Sequence, residues 1–261
     1  MNRVERDIRV LREEDVRASI DMPACIDACA RAFASYSNGG AELPAVIHLD
    51  IPERAGEIHV KAGHLHGAPY YALKVASGFP RNVELGLPPS DGMVIVFDSA
   101  SGAPAAFLLE GGFITDLRTG AAGGVAAREL APEQVTTVAV LGTGAQARYQ
   151  LDALAVVRPG FTSVRVWGRN LEHAATCVGD LRARPGLPKA CIFEIAEAVD
   201  EAVHDADVVI TCTASREPLV RGEWLKLGAH VTAVGADGVG KQELDPTVAA
   251  RADVLVVDSR V

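Results

Sequence analysis

The apolar positions of this chain follow one rhythm in its first half and another in its second. Over residues 46–97 apolar and polar residues alternate in short runs, VIHLDI, EIHVKAGHL, YYALKVASG and GMVIVFDS, punctuated by Gly, Pro, Asn and Asp. A period of two sends successive side chains to opposite faces, so these runs predict strands with one apolar and one polar face. Residues 105–109 continue the sheet. Ahead of it, 8–11 reads as a short strand, and 13–20 and 24–36 read as helices. Asp21 is the N-cap of the second helix, Pro23 lies in its first turn, and Ser37-Asn38-Gly39-Gly40 stops it. Residues 111–130 form a helical stretch rich in Gly and Ala (TGAAGGVAA), small enough to pack closely on a neighbour or a cofactor, and Pro132 ends it.

From residue 135 strands and helices alternate. Strands are predicted at 135–141, 163–167, 191–195, 207–213, 230–236 and 254–258, with helices at 145–157, 171–184, 197–204 and 245–251. Runs such as DVVITCT and VLVVD are apolar almost without interruption, the pattern of parallel strands covered on both faces. The fold class is therefore α/β: a doubly wound parallel (Rossmann) sheet plus a smaller α+β domain, divided as 1–115 and 116–261.

The first strand of the second half runs into Gly142-Thr143-Gly144-Ala145-Gln146-Ala147, a G-x-G-x-x-A turn between strand and helix. Gly142 permits the tight turn, Gly144 lets backbone approach a pyrophosphate, and Ala147 lets helix pack on strand. The phosphates then rest on unpaired N–H groups at the positive end of a helix, which assigns Gly142, Gly144, Ala145 and Gln146 to a dinucleotide. At the end of the second strand, Val166-Trp167-Gly168-Arg169-Asn170 offers no acid for a ribose 2′-hydroxyl. Arg169, with Asn170, suits a 2′-phosphate instead, so NADP(H) is expected ahead of NAD(H). The alternative for Arg169 is a surface arginine capping a loop.

Composition narrows the partners. A net charge of −9 leaves no basic stripe for nucleic acid, and no apolar run reaches membrane-spanning length. The five cysteines show no C-x-x-C spacing and read as reduced core thiols. The start, MNRVERDIRVL, has no apolar leader. These features predict a soluble cytoplasmic protein. His59, His64 and His66 lack the partner set of a metal site, and none is expected.

Four side chains are candidates for chemistry. Lys74 shares a strand face with Ala72 and Ala76, leaving room around a cation as in a pocket floor; its alternative is a solvated strand lysine. Lys61 poses the same choice. Arg118, opening the Gly/Ala helix, can bind a carboxylate bidentately, or pair with Asp116 or Glu110. Asp237 follows a strand at its carboxyl end, where ligands bind in open α/β sheets, or else caps a helix. Neither a G-x-S-x-G elbow nor a P-loop is present.

The segments YYALKVASGFPRN, FITDLRTGAAGGVAARELA, VAVLGTGAQARYQ, VVITCTASREPLV and HVTAVGADGVGKQELDP together resemble the ornithine cyclodeaminase/mu-crystallin family, over nearly the whole chain. IPERAGEIHVKAGHLHG and LGLPPSDGMVIVFD resemble its ectoine-utilisation branch. The resemblance implies a substrate-binding and dimerisation domain beside the Rossmann domain, a homodimer, and hydride exchange between a nicotinamide and the α-carbon of an amino acid or cyclic imine. It implies Lys74 as catalytic lysine, Arg118 as carboxylate binder, Asp237 as active-site aspartate, and Thr213 and Ala214 as cofactor contacts. A non-catalytic NADP-binding protein of the mu-crystallin kind is the alternative.

Two departures matter. The family's arginine after the Pro-rich turn is missing from Leu43-Pro44-Ala45-Val46-Ile47-His48, and Lys61 stands where cyclodeaminases carry an apolar residue. A cation has been gained where another was lost, so substrates with a neutral or anionic side chain are expected over ornithine. The sequence stops at Ser259-Arg260-Val261 after a predicted strand, so the family's segment returning to the first domain is expected to be absent.

Overall fold

The computed structural model describes residues 7–259. Residues 1–6, on which part of the reading of MNRVERDIRVL falls, and Arg260 and Val261 lie outside the described residues. The chain divides into two compact units, Met1–Leu117 and Arg118–Val261.

In the first unit, β1 (Arg9–Arg12) leads into α1 (Glu13–Ser19) and α2 (Met22–Ser37). The Asp21 carboxylate accepts the Ala24 N–H at 2.9 Å, capping α2 with Pro23 in its first turn. The strands β2 (Ala41–Glu42), β3 (Ile47–Ile51), β4 (Gly56–Leu65), β5 (Tyr70–Gly78), β6 (Ser90–Asp98) and β7 (Pro104–Leu109) follow. The sheet runs β1-β7-β6-β5-β4-β2, with β3 also pairing β4. β1 and β7 are parallel; the other neighbours are antiparallel. Two-residue β2 is too short to show an alternation, and the sequence pattern missed it.

Register fixes what each face carries. His59 pairs with Ala76 and Ala76 with Gly92, while Lys61 pairs with Lys74 and Lys74 with Val94, so these residues share one face. The other face carries Ile47, Val60, Val75, Met93 and Leu109 in one cross-strand row. None of that row is buried, and Ile47 is 63% exposed.

α3 (Phe113–Leu130) carries the Gly/Ala stretch. A Cβ at Gly120 would lie 2.6 Å from the Tyr149 carbonyl oxygen, and one at Gly123 would collide with the Gln150 amide. Gln150 Nε2 also donates to the Thr119 carbonyl at 2.9 Å. The small residues thus bring α3 against a neighbouring helix, α4 (Ala145–Val157).

The second unit continues with β8 (Thr137–Leu141), α4, β9 (Ser163–Trp167), α5 (Leu171–Ala183), β10 (Ile192–Ile195), α6 (Val199–Val203), β11 (Val208–Thr211), β12 (His230–Ala233) and α7 (Pro246–Ala250). All strand pairs are parallel, in the order β10-β9-β8-β11-β12. This is the doubly wound order, with its switch point where β8 meets β11. Val138, Val140, Leu151, Val164 and Ile210 belong to one buried cluster, and Ala139, Leu141 and Val209 to another. The central strands are covered on both faces, as their unbroken apolar runs predicted.

The sixth predicted strand, 254–258, does not form. Val254, Leu255, Val256 and Val257 are exposed and outside any ladder among the described residues. An apolar run is a strand only where an edge takes up its N–H and C=O groups, and β12 pairs with β11 alone. The strand predicted at 207–213 is also shorter, because the chain turns after Thr211 toward partners described below. No described helix is long and apolar enough to cross a membrane.

Candidate active site

Gly142 leaves β8 with φ of +121°, a conformation that side chains resist, and a Cβ there would lie 2.6 Å from the Cys212 carbonyl oxygen. The turn passes so close to the end of β11 that only glycine fits. Gly144 is the N-cap of α4 and has no capping side chain, and a Cβ placed on it meets nothing within 4 Å. α4 thus begins, at its positive end, with no side chain standing over Gly144. Arg148 fixes the turn from behind. Its Nη1 donates to the Thr143 and Gly144 carbonyls at 2.9 Å each, while Nη2 reaches Asp180 at 2.6 Å. The guanidinium thus takes two carbonyls of the turn, while the Gly142 N–H donates to the Trp167 carbonyl at 2.9 Å and the Ala147 N–H to the Gly144 carbonyl at 3.2 Å. Sequence reasoning passed over Arg148, whose four-residue spacing from Gly144 could have pointed to it.

A Cβ at Gly168 would fall 2.6 Å from the Thr143 side chain, so the end of β9 abuts the glycine turn. Arg169 follows directly, exposed and without a hydrogen bond or ion pair to the described residues. Asn170 is engaged: its Oδ1 accepts the Glu172 and His173 N–H groups at 2.8 and 3.0 Å, capping α5. These residues fit an NAD(P) cofactor: a turn that a Cβ at Gly142 would block, a helix N-terminus without a capping side chain, and a cation, Arg169, beside the turn.

Thr213 sits beyond β11, and its partner is Glu243, a carboxylate 1% exposed. Glu243 Oε1 accepts the Thr213 N–H at 2.6 Å and the Thr213 hydroxyl at 2.8 Å. Its Oε2 accepts the Thr211 hydroxyl and the Gly235 N–H, each at 2.8 Å. One buried acid thus holds the turns after β11 and β12. It lies within the quoted HVTAVGADGVGKQELDP segment, where only its place beside Leu244 inside a polar loop marked it. Ala214 follows Thr213 on the same turn. Asp237 lies beyond β12, and its Oδ1 accepts the Lys241 ammonium at 2.5 Å. No helix begins at Asp237, since the next one is capped by Asp245, so the capping alternative falls.

In the first unit Lys74 and Lys61 stand directly opposite each other on β5 and β4. Lys74 is half-buried and its Nζ donates to Thr115 Oγ1, in the first turn of α3, at 2.9 Å. Lys61 is exposed. Beside them, His59 Nδ1 is 3.3 Å from His48 Nδ1, and His48 Nε2 is 2.9 Å from Asp50. Among the described residues no group of three or more His, Cys, Asp or Glu is arranged to hold a metal. Arg118, exposed on α3, does not pair with Glu110, which is fully buried and accepts the Ile114 N–H at 2.6 Å.

The profile of the ornithine cyclodeaminase/mu-crystallin family matches residues 6–260. The chain belongs to that family. A Rhizobium meliloti (strain 1021) protein provisionally named a dehydrogenase is 38% identical over 255 residues, covering 97% of this chain and 75% of the relative. Among solved structures, an archaeal alanine dehydrogenase dimer with bound NAD superposes with a TM-score of 0.84 at 33% identity, over 94% of this chain and 72% of that one. The iminosuccinate reductase of Paracoccus denitrificans in complex with NAD+ gives 0.84 at 32% identity, over 95% and 75%. Membership of the ornithine cyclodeaminase/mu-crystallin family accounts for the glycine turn and Lys74 occurring in one chain.

Proposed function

We propose that this chain is an NAD(P)-dependent oxidoreductase that moves hydride between the nicotinamide and the α-carbon of a small amino acid or its imine. On this reading it is an imine reductase or amino-acid dehydrogenase for substrates with a neutral or anionic side chain. The observation that carries the substrate class is the register pairing of Lys61 with Lys74. Like charges directly opposite on a sheet repel, and an anion between them relieves the repulsion. A diamino acid would add a third cation to this pair and raise the repulsion further. Alanine and iminosuccinate, in the names of the two structural relatives, are neutral and anionic substrates of this kind.

The bound cofactor supplies or accepts the hydride. In the reducing direction Lys74 gives a proton to the imine nitrogen as the α-carbon gains hydride, leaving an amine. Arg118 and Lys61 hold carboxylate, and Asp237, once Lys241 releases it, orients the nitrogen. Gly142, Gly144, Ala145 and Gln146 take the pyrophosphate, Arg169 and Asn170 the adenosine ribose with its 2′-phosphate, and Thr213 and Ala214 line the same cofactor. On this reading the chain works as a homodimer, in which a second copy buries the apolar row from Ile47 to Leu109, whose ends are exposed and whose middle is only partly buried.

The test compares kcat/KM for ornithine, alanine, aspartate and the corresponding imines in the wild type and in Lys61→Met and Lys74→Ala. Ornithine is expected to be the poorest. Lys61→Met should narrow the gap, and Lys74→Ala should lower kcat by about a hundredfold or more with cofactor binding intact. Ornithine best in the wild type, and unaffected by Lys61→Met, would return the chain to a cyclodeaminase.

A further inference from the structure

Glu110 is a fully buried acid to which the proposed chemistry gives no task. It lies just beyond β7, and its Oε2 accepts the Ile114 N–H, while Oε1 has no hydrogen-bond partner among the described residues. Buried polar atoms are almost always paired, and one that is not asks for a reason.

The sheet shows where that carboxylate sits. A Cβ at Gly92 would lie 2.8 Å from Glu110 Oε1 and 3.2 Å from the Val75 carbonyl oxygen, so the acid occupies the space a side chain would need. Gly92 pairs with Ala76, one step along the same face from the Lys74–Val94 pair. The carboxylate therefore lies on the lysine side of the sheet. The first turn of α3 ties the two groups together, Ile114 N–H holding Glu110 and Thr115 Oγ1 holding Lys74.

We infer that Glu110 is a positioning residue that keeps Lys74 in its ammonium form against the opposing charge of Lys61, so that Lys74 holds the proton the imine needs. The inference rests on the proton-donor reading of Lys74. Burial pushes the Glu110 carboxyl above the ordinary carboxylate range, whereas the Ile114 N–H and the charge of Lys74 pull it back. That coupling is reciprocal: an ammonium that favours the carboxylate is favoured by it to the same degree. The other charges around the pair are Lys61 on β4, Asp91 in β6, Asp116 in the first turn of α3, and Glu13 on α1, which approaches Gly111 and is paired with Arg17. Asp91 opposes ionisation of Glu110, and Lys61 opposes ionisation of Lys74. Glu110 is the buried counter-charge among them.

A carboxylate at this point could serve only to cap α3, and one substitution separates the two roles. Glu110→Gln keeps an acceptor for the Ile114 N–H but removes the charge. The experiment measures the pH profile of kcat/KM for reduction of Δ1-pyrroline-2-carboxylate, a preformed cyclic imine, by the full chain. In Glu110→Gln the alkaline limb should move to lower pH by roughly one unit, and Glu110→Asp, which restores the charge, should hold it at the wild-type position. Adding Lys61→Met to Glu110→Gln should move the limb back toward wild type, and Lys61→Met alone should move it to higher pH. A folded Glu110→Gln protein with the wild-type profile overturns the inference. Should that variant not fold, an unmoved limb in Lys61→Met overturns it instead. Lys74→Ala keeps the outcomes apart: if it retains turnover, the donor reading beneath the inference fails, whereas an inactive Lys74→Ala with an unmoved Glu110→Gln limb removes only the role given to Glu110.

Discussion

The two sheets of this protein meet water differently. In the second unit β8 and β11 are buried along nearly their whole length, and helices carry the covering residues Leu151, Leu154, Leu181 and Val203. In the first unit Val94 is the only residue with a side chain buried along the described strands, and it lies on the lysine face. Among the described residues the apolar row is partly buried at Val60, Val75 and Met93 and exposed at Ile47 and Leu109. A sheet that is apolar on both faces can finish its core from its own chain. One that alternates leaves a face for something else, and here that face lies behind the lysines to which we assign the chemistry. The second sheet thus completes its core within its own unit, while the apolar row of the first holds no buried residue among those described.

The same leucine truncation made in each sheet would sharpen this contrast most. Leu151→Ala removes a fully buried side chain from the second unit and should cost about 3 kcal/mol. Leu49→Ala, at a position 53% exposed, should change the monomer by no more than about 0.5 kcal/mol. Both tryptophans, Trp167 and Trp224, lie in the second unit, so their fluorescence during urea unfolding reads that unit alone. Leu49→Asp should instead lower the apparent mass in sedimentation while leaving that transition in place. A Leu49→Asp protein that stays dimeric would break the comparison.

A smaller effect comes from His230, buried in β12 with its Nε2 2.8 Å from Thr232 Oγ1. Burial, helped by the nearby Arg158, pushes it down from 6.5 to about 4. The unfolded chain therefore takes up this proton first as pH falls. The stability contributed by neutral His230 is whole above the ordinary histidine value and drains away between about pH 6.5 and 4, with about 2 kcal/mol gone by about pH 5. Tryptophan-detected unfolding at neutral and mildly acid pH should show that loss, and His230→Gln should flatten it. The smallest predicted effect concerns Arg169. Arg169→Ala should reduce affinity for NADPH by about tenfold and leave NADH nearly untouched, measured by cofactor fluorescence titration. Equal losses for both would mean that the arginine does not read the 2′-phosphate.

Local periodicity made most of this fold legible before any coordinates. The alternation over 46–97, the Asp21 cap and the glycine turn each act within a few residues, and each formed where the pattern put it. What stayed hidden depends on partners far along the chain. VLVVD has the composition of a strand but joins no ladder among the described residues. The facing of Lys61 and Lys74 is set by register between β4 and β5, which neither run specifies alone. Glu243 and Glu110 are ordinary acids in sequence. Their weight comes from burial, from amides donated by separate turns in one case, and from a glycine yielding its space in the other.

The grip of Glu243 sets a boundary for anyone who would diversify this protein. Three separate stretches of chain, at Thr211–Thr213, Gly235 and Glu243 itself, converge on a single side chain. An insertion that displaces the acid surrenders all of those contacts together, and a substitution at Gly235 would crowd both Thr213 and the carboxylate. Libraries aimed at new substrates can vary Val239 itself, which is exposed, while Asp237, Lys241 and the length of the loop are spoken for.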